Sequence, residues 1–142
     1  MEIDEKVLNE LYVKAKESFE RKEIPVAAAI FDQNNNLISI AGNNRQGNCN
    51  VLGHAEINCI LETEKAIGDW RLDGYYMIVT LEPCDMCSMV IKESRLDKVL
   101  YFLPRKTPSK YNIDIYKQEI EGYSNLKENL NDLLTAFFEN MR

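Results

Sequence analysis

The chain has a single histidine in 142 residues, His54, and thirty positions later two cysteines three apart within Pro83-Cys84-Asp85-Met86-Cys87. An imidazole and two thiolates are three of the four ligands that tetrahedral zinc takes from proteins. Glu56 stands two residues past the histidine and is left without a ligand role. Three protein ligands leave the fourth position to water, and a neighbouring carboxylate can take that water's proton. A chain that uses these residues together must bring positions 54–56 and 84–87 to one point.

Local geometry supports the pairing. Cys84 and Cys87 at i, i+3 share one face of a helix. With Pro83 in its first turn, that helix would hold both sulfurs at its positive end, which favours thiolate. His54 and Glu56 would point about 200° apart on a regular helix, so they converge when His54 sits at or just before the helix start. Gly53 and the polar loop before it permit that. Two other readings stay open: a redox pair at Cys84 and Cys87, and a closed zinc site with Cys49 or Cys59 as fourth ligand. A closed site would leave Glu56 without a task, and Cys59 lies near an apolar stripe, where a free cysteine acts as a small hydrophobe.

Length and composition predict one soluble domain over residues 1–142, with 45% hydrophobic and 28% charged residues. Uncharged apolar runs such as 24–31 fall well short of the ~20 residues that span a bilayer, which predicts no membrane association. The acidic start, Met1-Glu2-Ile3-Asp4-Glu5, is the wrong chemistry for a targeting peptide, so a cytoplasmic location is expected. There Cys-x-x-Cys is read as metal-binding or catalytic rather than as a disulfide. The net charge of −6 disfavours a general nucleic-acid binder. Its distribution is uneven: residues 92–117 hold seven basic side chains against three acidic ones.

Hydrophobic periodicity predicts an amphipathic helix over about 4–21, then strands at 24–31 and 37–41 joined by a turn at 32–36 as an antiparallel hairpin. A polar loop at 42–50 leads to a helix over about 55–67, with Ile57, Ile60, Leu61 and Ile67 on one face and Gly68 at its end. Residues 75–81 read as a central strand buried on both faces. Residues 85–93 read as a mostly buried helix, 98–103 as a strand, and 113–120 as holding a weaker one. A last amphipathic helix carries Leu126, Leu130, Leu133, Leu134, Phe137, Phe138 and Met141, with Ser124 as N-cap and the aromatic pair in the core. This order implies a mixed sheet with helices on both faces and a cleft where two helices start at neighbouring strand ends.

His54-Ala55-Glu56 with Pro83-Cys84-Asp85-Met86-Cys87 resembles the H-x-E…P-C-x-x-C signature of the cytidine deaminase superfamily. Ile24-Pro25-Val26-Ala27-Ala28, Asn44-Arg45, Trp70-Arg71-Leu72, Val79-Thr80-Leu81-Glu82, Ser94-Arg95-Leu96 and Leu133-Leu134-Thr135-Ala136-Phe137-Phe138 narrow the resemblance to the bacterial tRNA-specific adenosine deaminases. The resemblance implies a three-layer α/β/α fold with a mixed, about five-stranded sheet, Zn2+ on His54, Cys84 and Cys87, and Glu56 as the catalytic acid and base. It further implies conversion of wobble adenosine to inosine in a tRNA anticodon stem-loop, a homodimer, and Asn44 and Ala55 as substrate-binding residues.

The chain departs from that family at Ala27, where glycine is usual, and at Gly53, where alanine is usual. After Leu100-Tyr101-Phe102 a longer, glycine-rich segment is replaced by Leu103-Pro104-Arg105-Lys106-Thr107-Pro108-Ser109-Lys110. Arg105, Lys106 and Lys110 are expected to supply RNA contacts there by phosphate pairing. Two further functions remain open: deamination of a free nucleobase, nucleoside or nucleotide at the same zinc, and a non-catalytic zinc-stabilised subunit or RNA-binding module.

Overall fold

A computed structural model describes residues 2–141 except 46 and 48, which belong to the polar loop at 42–50. Its elements are α1 (Glu5–Glu20), β1 (Ala27–Phe31), β2 (Leu37–Gly42), α2 (Ala55–Ile67), β3 (Tyr76–Leu81), α3 (Asp85–Ser94), β4 (Lys98–Leu103), β5 (Lys117–Glu119) and α4 (Ser124–Asn140). The strands form one sheet in the order β2-β1-β3-β4-β5, antiparallel across β1 and parallel from β3 to β5. This is the expected mixed, five-stranded sheet, with helices on both faces.

Alternation along the strands divides the core. Ala27, Ala29, Phe31, Tyr76, Ile78, Leu100 and Phe102 face α1 and α4, where Val7, Leu11, Ala15, Leu130 and Leu133 cover them. Ala28, Ile30, Met77, Val79 and Val99 face α2 and α3, meeting Ala55, Cys59, Ile60 and Ile91. Successive strand residues point to opposite faces, so one buried strand serves two layers at once. β3 is buried over Tyr76–Thr80, as its uncharged sequence requires.

Several expectations need correction. The first strand begins at Ala27, not residue 24, because Pro25 has no N–H to donate and Val26 closes a tight turn onto the Ile24 carbonyl. The last helix is capped by Tyr123 at φ +53°, with Ser124 already helical; the Tyr123 hydroxyl instead accepts the Ile3 N–H at 3.0 Å. Leu61 points outward from α2, and Cys59 and Thr63 occupy the inner face. α3 is one-sided rather than mostly buried: Cys87, Ser88, Ile91 and Ser94 face inward and Met89 is exposed. Phe137 is in the core while Phe138 is exposed, so the aromatic pair is divided between two environments.

α2 follows β2 and α3 follows β3, two strands of the same direction with β1 between them. Both helices cover one face and both begin at the same end of the sheet. At that end the buried Ala27 N–H is satisfied by Thr80 Oγ1 at 3.1 Å, a side chain standing in for a ladder carbonyl. Thr80→Val keeps the shape and strands this donor, and should lower unfolding free energy by about 1–3 kcal/mol. Urea denaturation with an unchanged slope would verify it.

Candidate metal centre

The two helix starts place the ligands. His54 is the N-cap of α2, with extended backbone at φ −74° and ψ 151°. Cys84 is the N-cap of α3, extended at φ −72° and ψ 173°. Cys87 lies in the first turn of α3 and is buried. Pro83 therefore precedes the cap, and the cysteines still occupy the positive end of the helix. His54 Nδ1 lies 3.3 Å from Cys87 Sγ and 3.6 Å from Cys84 Sγ. The three donor atoms all lie within 4.8 Å of one another.

These distances fit zinc. Tetrahedral bonds of about 2.05 Å to nitrogen and 2.3 Å to sulfur place N and S about 3.6 Å apart. The donor set, one imidazole and two sulfurs, is the one zinc prefers among the common divalent cations. Cys59 does not join it: it is fully buried against Ser39, and that burial pushes its thiol up to about 12. Cys49 is exposed and lies outside the cluster. Among the described residues three donors converge, which leaves one tetrahedral position to a non-protein ligand.

Glu56 is buried in the first turn of α2, on the floor of the cavity that His54 and Cys84 also line. Burial pushes its carboxyl up to about 7, and the negative Cys84 adds to the shift. Cys84 is drawn down to about 3, chiefly by the Cys87 thiol that donates to it, and Cys87 is held well above the usual thiol range. One thiolate, one thiol and one carboxyl of raised pKa mark a pocket crowded with negative groups, the electrostatic complement of a divalent cation.

The cavity, about 470 Å³, has His54, Ala55, Glu56 and Cys84 on its floor. One wall comes from the segment after β4, with Leu103, Pro104, Arg105, Lys106 and Thr107. α4 supplies another, where Asn131, Leu134, Thr135, Phe138 and Glu139 face the opening. Sequence periodicity put Leu134 and Phe138 on the core face of α4; the core takes Leu130, Leu133 and Phe137, and Leu134 and Phe138 line the cavity instead. Lys110 is exposed and is not among the lining residues.

Asn43, not Asn44, lines the cavity. Its carbonyl accepts from Ser18 Oγ at 2.9 Å and Arg21 Nη2 at 3.2 Å, and its Oδ1 accepts the Arg45 N–H at 3.0 Å. Asn44 Oδ1 accepts from Asn58 Nδ2 at 2.7 Å, and the Asn44 N–H donates to the Gly53 carbonyl at 2.9 Å. Asn58, which the sequence did not single out, also reaches the Gly42 and Gly53 carbonyls and ties both ends of the loop to α2.

A hydrolytic deaminase is the class of protein defined by an open three-ligand zinc site with a buried carboxylate at the end of an α/β/α sheet. The chain belongs to the family of the cytidine and deoxycytidylate deaminase zinc-binding region, which matches residues 1–103. It is 34% identical to the tRNA-specific adenosine deaminase of Bacillus subtilis over 149 aligned residues, covering 98% of this chain and 91% of that one. A structure solved in a study of A-to-I editing by tRNA:A34 deaminases superposes with a TM-score of 0.78 at 26% identity, covering 91% and 99% of the two chains. The guanine deaminase of Nitrosomonas europaea shares the fold, with a TM-score of 0.78 at 17% identity over 96% of this chain and 85% of that one.

Gly53 acquires a physical reason here. A Cβ at this position would stand 2.7 Å from Arg45 Cα and 2.8 Å from Arg45 N, closer than packed atoms allow. The loop after β2 runs directly against the residue that precedes His54. Gly53→Ala, the residue usual in the resembled family, should therefore destabilise this chain by about 1–3 kcal/mol through overpacking. A thermal melt of the zinc-loaded protein gives the comparison, and an unchanged melting temperature would contradict the close approach.

Proposed function

We propose that this single domain converts adenosine to inosine at the wobble position of a tRNA anticodon, with Glu56 as its acid and base. The observation that carries the reading is the composition of one cavity: a zinc-ligand floor with Glu56, and a wall from which Arg105 and Lys106 can meet phosphates. A base splayed from an anticodon loop reaches such a floor without opening a duplex, and its flanking phosphates meet the rim. The relatives named for tRNA adenosine deamination support the same substrate.

When bound by His54, Cys84 and Cys87, zinc polarises a water for attack on the ring carbon that bears the amine. Glu56 carries the protons of that exchange. Its carboxylate takes one proton from the attacking water as the C–O bond forms and passes it to the adjacent ring nitrogen, then takes the second from the new C–OH group and passes it to the amine, which leaves as ammonia as the C–N bond breaks. Burial on the cavity floor keeps this carboxyl away from bulk water, beside the reacting atoms. Ala55, buried at the helix start, bounds the base, and Asn43, which lines the cavity, holds its edge, while Asn44 supports the loop through Asn58. Arg105, Lys106 and the exposed Lys110 meet the phosphates.

No helix among the described residues is long and apolar enough to cross a membrane. We place the enzyme in the cytoplasm, as a homodimer. Leu61 of α2 and Met89 of α3 are exposed on helices that pack side by side, and Val51 and Leu52 before α2 are exposed as well. Sedimentation should give twice the chain mass, and Leu61→Glu should shift it towards the monomer.

Purified protein should form inosine in a tRNA carrying wobble adenosine. Failure on such tRNAs alongside turnover of free guanine, cytosine or adenosine would assign the cavity to a small molecule instead. Glu56→Gln should keep one zinc per chain and lose about 10²–10⁴ in kcat. Full activity in that variant would remove Glu56 from the chemistry.

A further inference from the structure

Two carboxylates flanking Pro83-Cys84 hold down the segment that leaves β4. Glu82 Oε1 accepts the Arg105 backbone N–H at 3.1 Å, and Glu82 Oε2 meets Lys117 Nζ at 2.6 Å. Asp85, the first residue of α3, accepts the Ser109 hydroxyl on Oδ1 and the Lys110 backbone N–H at 3.1 Å on Oδ2. Ser109 Oγ in turn accepts the Tyr111 N–H at 3.2 Å and lies 2.7 Å from the Tyr111 carbonyl, which shares its hydroxyl proton with Asp85. Between β4 and β5 the chain has neither helix nor strand, so side-chain acceptors take the place of a ladder. Lys106 and Thr107, which line the cavity, lie between the two anchors, and Arg105, which also lines it, is the first of them.

We propose that Asp85 is a positioning residue that latches residues 103–111 across the mouth of the metal site and so fixes Arg105 and Lys106 against the substrate's phosphates. Its side chain is not among those lining the cavity, so it acts through the loop rather than on the base. Two bonds from one carboxylate to consecutive residues fix a turn that the sequence otherwise leaves loose. Cations already held in place lose less freedom when a substrate arrives. The link to phosphates rests on the RNA reading above; the latch itself does not.

Asp85→Asn and Ser109→Ala test it from opposite sides. Asparagine keeps the size but its single oxygen cannot serve both donors, and Ser109→Ala removes a donor without touching Cys-x-x-Cys. Trypsin, which cuts after Arg105, Lys106 and Lys110, reads loop mobility independently of activity. Each variant should be cut there about tenfold faster, with KM for an anticodon stem-loop raised about tenfold, kcat kept within about twofold and one zinc per chain. The effects in the double variant should fall short of the product of the two single ones, because both substitutions act on the Ser109–Asp85 bond.

Unchanged cutting in both variants overturns the latch. Faster cutting with unchanged KM overturns its link to substrate. A fall in kcat or in zinc content with KM unchanged means that Asp85 acts on the metal centre, and overturns the positioning role. Should the unmodified protein ignore the stem-loop, the RNA reading fails alone, and the trypsin comparison still decides the latch.

Discussion

Everything at the active end of this molecule depends on two residues that stop being strand or loop and start being helix at the same place. His54 and Cys84 are both N-caps with extended backbone, each held by the first turn of the helix that follows. An N-cap side chain is released from the helical spiral, so His54 can turn towards the cysteines while Glu56, two positions on, turns with it. The adjacency of the two caps follows from the sheet: α2 and α3 descend the same face from the same end, packed through Ala55, Cys59, Ile60 and Ile91. The core on that face fixes the sulfur-to-nitrogen distances.

Much of this was legible in the chain. An uncharged, β-rich run marked β3 as a strand buried on both faces, and the spacing of His54, Glu56, Cys84 and Cys87 required the two helix starts to meet. What periodicity did not reveal was which neighbour covers a given apolar side chain. Leu61 and Ile60 are equally apolar and adjacent, and one turn of geometry sends only Ile60 inward. Leu134 and Phe138 continue the stripe of Leu130 and Phe137, yet they line the cavity, and Phe138 is exposed. Tyr123 replaced Ser124 as cap because its ring and hydroxyl are used elsewhere, against Phe102 and the Ile3 N–H. Such choices are made by tertiary contacts.

The departures from the resembled family are connected to one another by space rather than by sequence. Gly53 allows the loop after β2 to lie against the entry to α2, and Asn58 ties that loop from below. The shortened segment after β4 is drawn towards Asp85 at the start of α3. In both places a loop is brought close to a helix start that carries a zinc ligand. The helix starts cannot move without separating the ligands, so the loops have been fitted to them.

That asymmetry separates chemistry from selection. The floor of the cavity is built from capped helices whose positions the core dictates, and a change there would alter ligand geometry and the whole α2 and α3 layer together. The walls come from a segment without regular structure and from the margin of α4, held by a few carboxylate contacts on the surface. Substitutions in the walls cost little core packing, so the same floor can serve different substrates. For this chain, residues 103–107 and the cavity-facing side chains of α4 are the parts of the site that can change without moving the metal ligands.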